Sequence, residues 1–139
     1  MQSRAFRDNT IAVLALFVLP ASAYGVDWIL FRWRLYAEQS FSISPYMWAL
    51  LLASLPVAAV ALAFAYWLVT RSAAHRLVGL AHMVVGVLGV VYIPLVFLID
   101  LRLPMPIAMF ARPVSYFHFT VSVMAVAGAF HLLRGRPES

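Results

Sequence analysis

Two histidines offer the most specific chemistry in this sequence. His82 and His131 lie in the third and fourth of four long apolar runs, and each shares a helical face with small residues: Gly79, Gly86 and Gly89 beside His82, and Ala127 and Gly128 beside His131. At about 1.5 Å of rise per residue, His82 falls roughly 7 Å and His131 roughly 3 Å inside the same membrane edge, so the two imidazoles are expected to face each other. Neutral imidazole nitrogens on opposing helices ligate the iron of a b-type haem. Small neighbours would let the flat macrocycle slide between the helices, with Arg71, Arg76 or Arg134 near its propionates. The plainer expectation is that glycine and alanine serve close helix packing while the histidines bond carbonyls or water. A zinc site of His75, His82 and His131 has less behind it, because no carboxylate or thiolate accompanies them.

The remaining polar residues are few. His118 stands among Tyr116, Phe117 and Phe119, a setting expected of an aromatic interface belt. The alternative is a quinone or lipid headgroup pocket in which His118 or Tyr92 donates to a carbonyl oxygen. Asp27 and Asp100 are close in depth to Arg32, Arg34, Arg102 and Arg112, and an ion-pair belt is expected there rather than a proton relay. Pro20, Pro56 and Pro94 could kink their helices, but no charged residue lies at their depth, which disfavours transport of a polar solute. The absence of cysteine removes disulfides and thiol chemistry. No catalytic constellation is present, so the expectation is a protein that is not an enzyme.

One short stretch resembles a known family. Ser72-x-x-His75-Arg76-x-x-Gly79 is similar to the Ser-x-x-His-Arg-x-x-Gly segment of the cytochrome b anchor subunit of succinate dehydrogenase, and Gly128-x-x-His131 weakly resembles its Gly-x-Arg-His segment. The resemblance implies a quinone site to which Ser72 and Arg76 contribute. This chain departs from the pattern where Phe130 replaces the arginine and where Met124 stands in place of the haem-ligating histidine. The motif also precedes the third apolar run here rather than the first of three.

These residues must be positioned by elements built for lipid. The chain has 139 residues, 65% hydrophobic and only 11% charged, against about 45–50% and 25% in soluble domains. A hydrocarbon core of about 30 Å needs about 20 apolar residues in a helix, and four segments qualify: 11–31, 46–70, 77–99 and 114–133. Uninterrupted runs of this length exclude barrel strands. Asp8, Asn9 and Thr10 are expected to cap the first helix, and Ser44-Pro45 the second. Arg71–Arg76 reads as the turn of a tight antiparallel hairpin. The connection 32–44, with Trp33, Tyr36 and Phe41, is expected to lie in the interface, and the proline-rich 100–113 to form a kinked or re-entrant piece. Arg4 and Arg7, then Ile11 to Leu19, then Ala21-Ser22-Ala23 imitate a signal peptide, but the apolar character continues to Phe31 and favours a retained helix.

The predicted fold is an all-α integral membrane protein of one domain, four transmembrane helices in an up-down bundle. Both ends are expected in the cytoplasm, with Arg4, Arg7, Arg71, Arg76, Arg134 and Arg136 inside and Arg32, Arg34, Arg102 and Arg112 outside. All ten basic residues are arginines at the edges of apolar runs, a pattern for phosphate headgroups rather than nucleic acid. Ala49/Ala53, Ala59/Ala63 and Ala61/Ala65 have the small-xxx-small spacing of helix contacts. The function expected is that of a small accessory subunit in a larger membrane complex, such as a respiratory or photosynthetic electron-transfer complex of a bacterial inner membrane. Its partners would be lipids and other membrane subunits. The alternatives are a haem b cytochrome using His82 and His131, and a carrier of an apolar solute, lipid or quinone.

Overall fold

The structure, a computed structural model, describes residues 4–40, 43–98 and 115–134, with the backbone alone for 92–98. Asp100, Arg102, Arg112, Arg136 and the segment 100–113 lie outside the described residues, as does the side chain of Tyr92. Among the described residues four helices form: α1 (Arg4–Ser40), α2 (Ser44–Thr70), α3 (Arg76–Leu98) and α4 (Tyr116–Leu133). Three of them, α1, α2 and α4, are long and apolar enough to cross a membrane.

The first helix is longer at both ends than hydropathy predicts. Its 37 residues reach about 55 Å, well beyond a hydrocarbon core. At its start the backbone is already helical at Arg4, so Asp8, Asn9 and Thr10 lie within the helix instead of capping it. At its end the helix continues through Trp33 and Tyr36 to Ser40. Residues 32–40 are good helix formers without glycine or proline, and Arg34 pairs with Glu38 one turn on at 2.8 Å. Hydropathy marks where lipid would end, and here that is not where the helix ends. Ala21-Ser22-Ala23 sits in the middle of this helix, with Ala23 buried. In α2 the start also shifts: Ile43 is the capping position, without a side-chain cap, and Pro45 occupies the first turn.

The helices alternate in direction around α4. Close contacts of Gly79 with Gly128 and of Gly86 with Val121 and Ala125 make α3 and α4 antiparallel. Leu50 meets Tyr116 while Leu68 meets His131, so α2 runs with α4. Asp27 meets the start of α4, so α1 runs against it. The fourth helix packs on all three others. Accordingly 39% of its apolar window is buried, against 11% for α1 and 6% for α2. Although α2 and α3 are joined by a tight loop, the expected hairpin is held mainly through α4 and α1. The two helices meet through the Phe64 ring, stacked on His82 at 5.4 Å. Of the alanine pairs, Ala61 and Ala65 turn inward, whereas Ala59 and Ala63 are exposed.

Candidate functional site

Several polar side chains serve first as caps for helix ends. A helix terminus leaves backbone groups without partners, and no water reaches them in an apolar setting. Asp8 Oδ2 accepts from Ala73 N–H at 2.9 Å and Asn9 Oδ1 from His75 N–H at 2.7 Å, just ahead of α3. His75 in turn accepts from Leu77 N–H through Nδ1, and Ser72 Oγ accepts from Ala74 N–H. At the start of α4, Asp27 accepts from Tyr116 and Phe117 N–H, both at 2.9 Å, a favourable place for a negative charge at the positive end of a helix dipole. At the end of α2, His131 reaches Leu68 O and Arg134 donates to Val69 O, which matches cationic and N–H groups to the negative end of that helix. Every one of these caps comes from a different helix than the one it serves, His75 and Ser72 excepted.

The expected pair, His82 and His131, does come together at the α3–α4 contact, and its geometry is specific. His82 is fully buried, with Nδ1 2.8 Å from Val78 O, so Nδ1 carries the hydrogen and Nε2 presents its lone pair. Nε2 has no hydrogen-bond partner among the described residues. His131 is different, because both ring nitrogens face carbonyls: Nδ1 at 2.9 Å from Leu68 O and Nε2 at 3.1 Å from Ala74 O. A neutral ring donates to one of these carbonyls and a doubly protonated ring to both. Both nitrogens are thus engaged by main-chain carbonyls.

The glycine faces beside these histidines are in direct contact. A Cβ on Gly128 would lie 2.5 Å from Gly79 O, and one on Gly79 would lie 2.8 Å from the His131 ring. The small residues therefore bring the helices together and leave no slot for a macrocycle in this packing. The arginines assigned to propionates are disposed otherwise: Arg134 is bound to Val69 O, the carbonyl of Arg71 accepts from Arg4 at 3.1 Å, and Arg76 is exposed at the start of α3. The purified chain, supplemented with haem, is accordingly expected to show no Soret and α-band signature of a bis-histidine haem in absorption spectra. Among the described residues no cluster of three metal-ligating side chains forms, and His75, His82 and His131 do not converge.

At the opposite end of the molecule, a cavity of about 470 Å³ lies between α1, α2 and α4. Asp27 lines it together with Tyr46, Ser54, Ser115 and Tyr116, among otherwise apolar and aromatic neighbours. Tyr116 donates its hydroxyl to Leu50 O at 2.9 Å, and Ser54 donates to Leu51 O at 2.8 Å. Ser115 is the N-cap of α4, accepting from His118 N–H at 3.1 Å while its Oγ also lies 2.6 Å from His118 Nδ1. His118 is buried behind Ser115, in edge contact with Phe117, and its Nε2 has no partner among the described residues.

Among the described residues Asp27 makes no ion pair of the belt expected at this end, and Arg102 and Arg112, two of its expected partners, lie outside them. Among the described residues, ion pairs join Arg4 and Arg7 to Asp8, and Arg34 to Glu38, while Arg32 lies over the Trp28 ring at 5.6 Å. Sequence reasoning missed the gathering of Asp27, Ser54, Tyr46 and Tyr116 around one cavity. Its one visible sign was a carboxylate inside an apolar run, with a serine a turn beyond the middle of the next helix's first half. The chain matches no family model, no curated protein and no solved structure.

Proposed function

We propose that this chain is a four-span membrane protein with both ends in the cytoplasm, and that it acts as a non-catalytic accessory subunit by seating a transmembrane helix of a partner protein. The grouping of Arg4, Arg71 and Arg134 at one end supports that orientation, since cytoplasmic ends are enriched in arginine. The observation that carries the docking role is an apolar groove of about 490 Å³ between α2 and α4. Small residues, Ala65, Ser122 and Ala127, lie in it, while Leu62, Tyr66, Val126 and Phe130, each more than half exposed, border it. A floor of small side chains between rows of large ones is the shape that accepts the ridge of another helix.

Co-purification from native membranes in a mild detergent tests the reading. A stoichiometric membrane partner is expected with the native chain. Val126→Trp, which fills the groove from an exposed position, is expected to release that partner while the chain stays folded. Migration of the native chain as a free monomer, or as an assembly of its own copies alone, would overturn the proposal, as would retention of the partner by the tryptophan variant.

A further inference from the structure

The cavity beside Asp27 has a chemical character of its own, distinct from that of the apolar groove between α2 and α4, with which it shares Phe119 alone. Its volume of about 470 Å³ lies within the roughly 300–1,000 Å³ of small-molecule sites. Its wall holds one carboxylate, and no basic side chain among the described residues contributes to it. Both oxygens of Asp27 are fixed by backbone N–H groups at the start of α4, the Ser115 hydroxyl bonds the same carboxylate with His118 behind it, and a carboxylate with about four acceptor sites keeps capacity beyond these bonds. The hydroxyl hydrogens of Ser54 and Tyr116 are already given to the carbonyls of Leu51 and Leu50, so those oxygens offer lone pairs. Four aromatic rings, Phe31, Tyr46, Tyr116 and Phe119, complete the wall.

Such a lining suits a particular ligand. An anion would meet the carboxylate, and a quinone or other carbonyl acceptor would find the Ser54 and Tyr116 hydrogens engaged elsewhere and only the Tyr46 hydroxyl to meet it, with nothing to match Asp27. A bare metal ion takes about six or more oxygen ligands, whereas this wall is mostly ring and aliphatic surface. A cation with apolar substituents satisfies every part: the charge meets Asp27 and the aromatic faces, and the substituents meet the apolar wall. We propose that the cavity enclosed by α1, α2 and α4 is a binding site for a lipophilic organic monocation, such as a substituted ammonium or phosphonium, with the Asp27 carboxylate as its counter-charge.

Equilibrium dialysis of the full chain in mild detergent, with labelled tetraphenylphosphonium and the neutral acceptor triphenylphosphine oxide, tests it. Saturable binding is expected for the cation and not for the oxide. Asp27→Asn keeps the shape and an acceptor oxygen but removes the charge, and is expected to weaken cation binding by roughly tenfold or more. Because Asp27 also caps α4, Ala58→Trp serves as a second variant: it fills the cavity from α2, leaves Asp27 in place, and is expected to abolish binding while circular dichroism and elution volume are unchanged. Equal binding of the two probes, absence of saturable cation binding by the native chain, or native affinity in either folded variant would overturn the site.

Discussion

Gly128→Leu is expected to leave almost no folded, monodisperse protein after extraction, the largest effect of any single substitution considered. A Cβ at this position would stand 2.5 Å from Gly79 O, 2.6 Å from Met83 N and 3.1 Å from the Cβ of His82. Two of these three atoms are backbone, which cannot rotate away, so α3 and α4 would have to part. Their separation would expose His82, Val121 and Met124, the side chains most completely buried in this contact. Ordinary overpacking costs about 1–3 kcal/mol where neighbours can adjust. Here the neighbours are the opposing main chain, and the loss extends along the whole interface. Gly25 supplies the control, because a Cβ there meets nothing within 4 Å. Gly25→Ala is expected to be stabilising by up to about 1 kcal/mol through helix propensity. Recovery by size-exclusion chromatography and thermal unfolding in detergent measure both.

His131→Leu is expected to destabilise the chain by about 2–4 kcal/mol, whereas His82→Leu is expected to be close to neutral. The two histidines are neighbours of similar burial, at 8% and 0% exposure, so burial does not separate them. Their hydrogen bonds do. His131 serves Leu68 O at the end of α2 and Ala74 O in the following loop, and its loss strands carbonyls that no solvent can reach. His82 bonds Val78 O four residues earlier in its own helix, a carbonyl that the regular helix already provides for, and its Nε2 has no partner among the described residues. Removing it deletes a buried polar atom instead of creating one. Unfolding titrations of both variants in mixed detergent micelles test the contrast, and a larger loss for His82→Leu than for His131→Leu would show that the second nitrogen of His82 holds a partner of consequence.

The positions of the caps explain why chemistry was legible in the sequence only in outline. The small-residue faces around His82 and His131 mark a place where α3 and α4 meet. What the spacing did not distinguish is a slot from a seam. Glycines that would admit a flat ligand and glycines that admit a neighbouring backbone have the same periodicity, and only the contact of Gly79 with Gly128 separates the two. Likewise, Asp27 carries the same apolar flanks whether it pairs with an arginine or caps a helix. Its partners, Tyr116 and Phe117, are 89 and 90 residues away along the chain.

By itself the sequence determined that the described residues are helical, and roughly where α2, α3 and α4 begin and end. Hydropathy and helix propensity accumulate residue by residue, so these properties are local. Tertiary structure alone decided that α4 would be the central helix, that Asp8, Asn9, Asp27, His131 and Arg134 would satisfy the ends of neighbouring helices, and that one carboxylate, four hydroxyls and four aromatic rings would surround a single cavity. Those outcomes depend on the rotation of each helix about its own axis. That rotation is set where glycines let main chains touch, and it exists only once the helices have assembled.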